Sequence, residues 1–128
     1  MSEWTEAMRR KPNFYAEKGV SEMQVEQAEQ ALGLKFAPDF KECLLEFGAF
    51  SIGGHELTGF SADPYLDVVK VTLDNRKKNE AGKNLYVIEE AHIDGIVIWQ
   101  DADGAVYQTM PKSEATKIAS SLAEYIDA

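Results

Sequence analysis

A chain of 128 residues falls within the usual range of one domain, and 45% hydrophobic with 27% charged residues describes a globular protein rather than a disordered or fibrous one. The longest apolar runs, such as Ile96-Val97-Ile98-Trp99, fall far short of the ~20 residues that cross a bilayer, and Met1-Ser2-Glu3-Trp4 begins neither with a basic segment nor with an apolar signal core. A lone cysteine, Cys43, excludes an internal disulfide, and a formal net charge of −9 repels phosphate backbones, so the expectation is a cytoplasmic single domain over residues 1–128 that engages neither membrane nor nucleic acid directly.

The first helix expected in the chain starts at Ser21, where Gln24 completes a Ser-x-x-Gln capping box and Val20 with Val25 forms a hydrophobic staple. Gly33 supplies a left-handed stop, and Val25, Ala28, Glu29 and Leu32 make a narrow stripe opposite Glu22, Glu26 and Gln30. A second helix begins at Pro38, whose fixed φ suits the first helical turn, with Asp39 near the positive end of the macrodipole. Phe40, Cys43, Leu44 and Phe47 fall at i, i+3, i+4 and i+7 before Gly48 ends it. On that face Cys43 reads as a small buried hydrophobe rather than a nucleophile.

Gly53, Gly54 and Gly59 around Ile52 and Glu56-Leu57 predict short strands joined by a tight turn. Asp63-Pro64 can cap a helix with Leu66, Val69 and Leu73 on one side and Arg76-Lys77-Lys78 at its end, but the β-branched Val68, Val69, Val71 and Thr72 also fit a strand. From Leu85 the period changes. Leu85–Ile88, Ile96–Trp99 and Ala105–Gln108, separated by Asp94-Gly95 and Asp103-Gly104, predict three consecutive antiparallel strands. Ser113 and Glu114 then predict a closing helix with Ala115, Ile118, Ala119, Leu122 and Ile126 facing inward. The fold class expected is α+β, a mostly antiparallel sheet with helices packed around it.

Few of these residues spell out chemistry. Asp101-Ala102-Asp103-Gly104 alternates carboxylates before a glycine, as a calcium loop does, yet Trp99 and Met110 would then stand at obligatory ligand positions; a hairpin turn is the better reading. His55 and His92 have no partners at zinc spacing, so no metal or cofactor is expected. A hydrolase built on His55 with Glu56 suffers from the opposite facing of adjacent strand residues and from the lack of a nucleophile, so no catalytic residue is assigned. Residues 85–128 carry two basic and eight acidic groups. Glu89, Glu90, Asp94, Asp101 and Asp103 form an acidic strip with no lysine or arginine between Leu85 and Met110, read either as a solvated sheet edge or as a surface steering a basic partner. Trp99 beside Tyr107 could add an aromatic platform, although cross-strand aromatic pairs commonly serve the sheet itself.

The order Leu32-Gly33-Leu34, Pro38-Asp39-Phe40, Gly48, then Gly53-Gly54-His55-Glu56-Leu57-Thr58-Gly59-Phe60 resembles the Smi/Knr family of the SUKH superfamily. The likeness continues through Asp67-Val68-Val69, Arg76, Leu85–Ile88 and Asp103–Tyr107, covering about residues 15–126. This resemblance implies an α+β domain without enzymatic activity. Similar bacterial proteins mostly act as immunity proteins that bind and neutralise a cognate toxin, often a nuclease, whereas the fungal relatives suggest a regulatory or scaffolding module. The implied partner is a basic toxin, and the partner-binding residues expected from charge are Glu89, Glu90, Asp94, Asp101, Asp103 and Trp99.

Overall fold

The computed structural model of the chain describes residues 2–78 and 82–127. In chain order these form α1 (Glu3–Arg9), β1 (Tyr15–Ala16), α2 (Glu22–Leu32), α3 (Pro38–Phe47), β2 (Phe50–Ile52), β3 (His55–Leu57), α4 (Val68–Lys78), β4 (Tyr86–Glu90), β5 (Val97–Gln100), β6 (Val106–Thr109), β7 (Thr116–Ala119) and α5 (Leu122–Asp127). The strands build two antiparallel sheets, β1-β2-β3 and β4-β5-β6-β7. The fold is α+β, as expected.

Local signals placed the central elements. Ser21 and Gln24 make the reciprocal capping box of α2, and Gly33 closes it at φ 70°. Pro38 opens α3, which buries Phe40, Cys43, Leu44 and Phe47 against the core. The β2–β3 hairpin turns on Gly53 and Gly54 at φ 55° and 85°, a pair of left-handed positions that side chains resist. Just beyond β3, Gly59 passes so close to Gly48 that an added Cβ would lie 2.2 Å from the Gly48 carbonyl oxygen, which locks the end of α3 onto the hairpin.

Residues 63–78 resolve as turn then helix. Asp63 accepts from the Tyr65 amide at 2.9 Å in a turn of its own, and the cap of α4 is Asp67, whose Oδ1 accepts from the Val69 amide at 3.0 Å. The buried face is therefore Val68, Val71, Thr72 and Asn75 rather than the expected Leu66–Val69–Leu73 side, and Leu73 is exposed.

Three findings depart from the sequence reading. A helix precedes Ser21: Ser2 caps α1, which buries Thr5 and Met8. β1 adds an edge strand to the first sheet. The largest departure is the closing helix. Ser113 does not start it; its hydroxyl accepts from the Met110 amide at 3.0 Å in a turn, and residues 116–119 pair with β6 as a fourth strand. Ile118, expected inward, is exposed. The helix begins only after Ser121, whose Oγ accepts from the Glu124 amide while Glu124 accepts from the Ser120 amide, each at 3.1 Å.

The four-stranded sheet lies between two apolar layers. One face contributes Tyr86, Ile88, Ile98 and Val106 to a core shared with α2 and α3, against which Tyr125 and Ile126 of α5 also pack. The other contributes Val87, Val97 and Trp99 to a smaller cluster under Val71 of α4. Burial on both faces explains why Tyr86–Ile88 of β4 and Val97–Trp99 of β5 read as unbroken apolar runs instead of alternating ones. Thr58 joins the two sheets, its amide donating to the Ile88 carbonyl at 2.9 Å and its hydroxyl to that of Val87 at 2.8 Å.

Candidate functional site

The acidic strip does not survive as one surface, and the cause is a single extra residue. β4 pairs with β5 as Val87↔Trp99 and then Glu89↔Ile98, so the chain bulges at Ile88. A bulge reverses the alternation beyond it. Glu89 consequently shares the inner side with Ile88, and only Glu90 turns toward α4. The Glu89 side chain sits in the seam between β3 and α5: Oε1 accepts from His55 Nδ1 at 2.9 Å and from the Tyr125 hydroxyl, and Oε2 accepts from the Glu56 amide at 2.8 Å. The residue is 7% exposed. The desolvated Tyr125 phenol, held against this carboxylate, has its pKa pushed well above the ordinary tyrosine value. Glu89 is thus a structural clamp and leaves the expected partner-binding set.

Trp99 leaves it for a simpler reason. It is fully buried beneath α4, and its indole N–H donates to Thr109 Oγ1 at 2.8 Å. It does stand opposite Tyr107 across β5 and β6, so the aromatic pair serves the sheet and offers no platform at the surface.

Asp101 is half-buried and holds the β5–β6 turn: Oδ1 accepts from the Asp103 and Ala105 amides, both at 3.0 Å, and Oδ2 from the Tyr107 hydroxyl at 3.1 Å. The stretch is a hairpin turn, as its Asp-Gly pair predicted. Asp103 projects at its tip, exposed. Asp94 is also exposed, in the β4–β5 loop at φ 53°, and Glu90 lines a cleft of about 350 Å³ with Asn75, Lys78, His92 and Pro111. Asp94 and Asp103 lie in the loops at opposite ends of β5, whose four residues rise ~13 Å. Lys35 and Lys83 share a depression with Asp101 and Asp103, so charge there is mixed.

His55 and Glu56 do not cooperate. His55 turns inward to Glu89 and packs its ring 4.9 Å from that of Tyr125, while Glu56 is exposed on the opposite face. Cys43 is buried in the core, where burial and then the nearby Asp39, Glu42 and Glu46 carboxylates push its thiol pKa well up.

Sequence reasoning missed a polar group that joins three elements. Asp39, read as a macrodipole partner and as part of the Pro38-Asp39-Phe40 motif, uses Oδ1 to accept from Gln100 Nε2 at 3.0 Å and Oδ2 to accept from the Leu122 amide at 2.9 Å, tying α3 to β5 and to the start of α5. Gln100 Oε1 in turn accepts from the Tyr86 hydroxyl at 2.6 Å, and that oxygen accepts from the Ala37 amide at 3.0 Å. The available signal was Gln100 itself, an amide ending a buried apolar strand, which demands partners. Arg76, read as part of a basic helix end and as a point of the family resemblance, turns out to be a tie between elements: its guanidinium donates to the carbonyls of Leu32 at 3.0 Å and Lys83 at 2.9 Å, joining the end of α2 to the approach of β4.

These contacts describe a small α+β domain whose inward polar side chains hold elements together. Among the described residues no group of three or more metal-ligating side chains converges, and no helix is long and apolar enough to cross a membrane. The chain belongs to the SUKH family described as SMI1-KNR4 cell-wall, whose model matches residues 1–128. No curated protein matches the chain.

Proposed function

We propose that this protein is an immunity protein, which binds a cognate toxin and neutralises it by covering its working surface. The observation that carries the reading is the family match over the whole chain, since proteins similar to this superfamily's bacterial branch mostly act in this way. The formal net charge of −9 supports a basic partner, a nuclease foremost, because complementary potentials speed encounter and exclude wrong partners. Within the acidic strip, Glu90, Asp94 and Asp103 are the carboxylates we assign to recognition, with Asp101 setting the turn from which Asp103 projects. Inhibition is steric and electrostatic, and it takes place in the cytoplasm.

The test is titration against the toxin encoded beside this gene. A stoichiometric complex with loss of toxin activity is expected, and Asp94→Lys with Asp103→Lys should slow association about tenfold at low salt and less at high salt. Full toxin activity in the presence of excess protein would overturn the reading. Unchanged association with no salt dependence would remove these carboxylates from the interface.

A further inference from the structure

The outer face of the three-stranded sheet carries a cleft that the toxin-neutralising reading does not use. Strand register sets its make-up. Tyr15 pairs with Ser51 and Ser51 with Glu56, so these three form one cross-strand row, while Ala16, Phe50 and Leu57 form the next. Phe50 and Leu57 are buried, which turns the Tyr15–Ser51–Glu56 row outward. The Glu17 amide donates to the Ala49 carbonyl at 3.0 Å, extending the pairing by one residue and holding Glu17 at the rim. A cleft of about 80 Å³ results, with Leu66 and Tyr15 as apolar wall, the Ala49–Ser51 strand as floor and Glu17 and Glu56 as its charged groups.

Three observations define what fits there. Tyr15 is 65% exposed, so an aromatic ring lies open at the cleft. Glu17 and Glu56 have no ion-pair partner among the described residues, and no lysine, arginine or histidine lines the cleft. The position of Glu56 is fixed from behind, because its amide donates to the buried Glu89 carboxylate at 2.8 Å. The row from Tyr15 across to Glu56 spans two strand spacings, ~10 Å, which admits one extended side chain and is too narrow for a packed helix.

From these we infer that this cleft docks an arginine side chain of a partner protein. The aliphatic stem lies along Leu66 and over the Ala49–Ser51 strand, the planar guanidinium stacks on the Tyr15 ring, and its N–H groups donate to the Glu17 and Glu56 carboxylates. Arginine fits better than lysine because one flat, delocalised cation can stack and donate to two separate acceptors at once, whereas an ammonium is compact and strongly hydrated. The inference concerns a different sheet from the acidic loops assigned above, and its test needs no toxin, so the two stand or fall separately.

The probe is N-acetyl-arginine methylamide, titrated into the isotope-labelled full chain while backbone amide resonances are followed. Saturable shifts at Tyr15, Ser51, Glu56 and Leu66 are expected, with affinity falling about tenfold in the Glu17→Gln, Glu56→Gln double variant and also weakening in Tyr15→Leu. The spectra themselves report whether each variant is folded. Shifts of equal size with the norleucine analogue, shifts unchanged in the double variant, or no saturable response would overturn the inference. Equal affinity for the lysine analogue would overturn the choice of a guanidinium.

Discussion

The two sheets treat their carboxylates in opposite ways. In the four-stranded sheet, Glu89 and Asp101 are consumed by the fold, one clamping β3 and α5 and the other shaping a turn. On the three-stranded sheet, Glu17 and Glu56 touch no cation among the described residues and remain available. Membership of the most acidic segment of the sequence is therefore no guide to whether a given carboxylate is available. Charge counted along a chain is a different quantity from charge that a partner meets, because hydrogen bonding and burial remove carboxylates from the surface without altering the count.

That contrast is sharpest at two residues in direct contact. Glu89→Ala should cost about 3 kcal/mol, since it strips partners from the Glu56 amide and the Tyr125 hydroxyl within a buried seam. Glu56→Ala should change stability by less than about 0.5 kcal/mol. Chemical denaturation of the two variants measures both, and equal losses would erase the distinction between clamped and available acid.

Alkaline pH attacks the same clamp. Burial raises the Tyr125 pKa, with the Glu89 hydrogen bond adding to it, and burial also raises that of Tyr86. A group whose folded pKa lies above its unfolded value lends stability that is full below the unfolded pKa, about 10 for tyrosine, and is lost as pH rises beyond it. Thermal midpoints should therefore fall more steeply above about pH 10, beyond the loss that the buried Cys43 thiol adds from about pH 8.5, with a shallower fall in Tyr125→Phe. A slope unaltered by that substitution would take Tyr125 out of the linkage.

The smallest effect contrasts the two aspartates of one turn. Asp101→Ala should cost about 1 kcal/mol through the lost bonds to Asp103, Ala105 and Tyr107, whereas Asp103→Ala should stay within about 0.5 kcal/mol. Thermal unfolding of the pair would reveal whether the turn depends on one side chain or on both.

Much of the fold was legible. The α2 capping box, the Pro38 start, the glycine hairpin and three of the four strands of the larger sheet each rest on interactions within a few residues, which a sequence displays directly. The last helix was misread because Ala115, Ile118, Ala119 and Leu122 have helical spacing, while pairing with β6 takes 116–119 as a strand. Tertiary pairing overrode the periodicity. At the candidate surface, Asp94 and Asp103 lie outward and Glu90 lines the cleft beside α4, but Glu89 and Trp99 were lost to the interior.

By itself, then, the sequence determined the α+β class, the helix caps and turns, and the resemblance that the whole-chain family match upholds, because each depends on spacing and local chemistry. Only the tertiary structure decided which carboxylates reach the surface. One bulge at Ile88 reversed the facing of Glu89, and Asp39 found partners 61 and 83 residues away. Neither is encoded within a local window, since both arise when distant strands and helices fix each other's register.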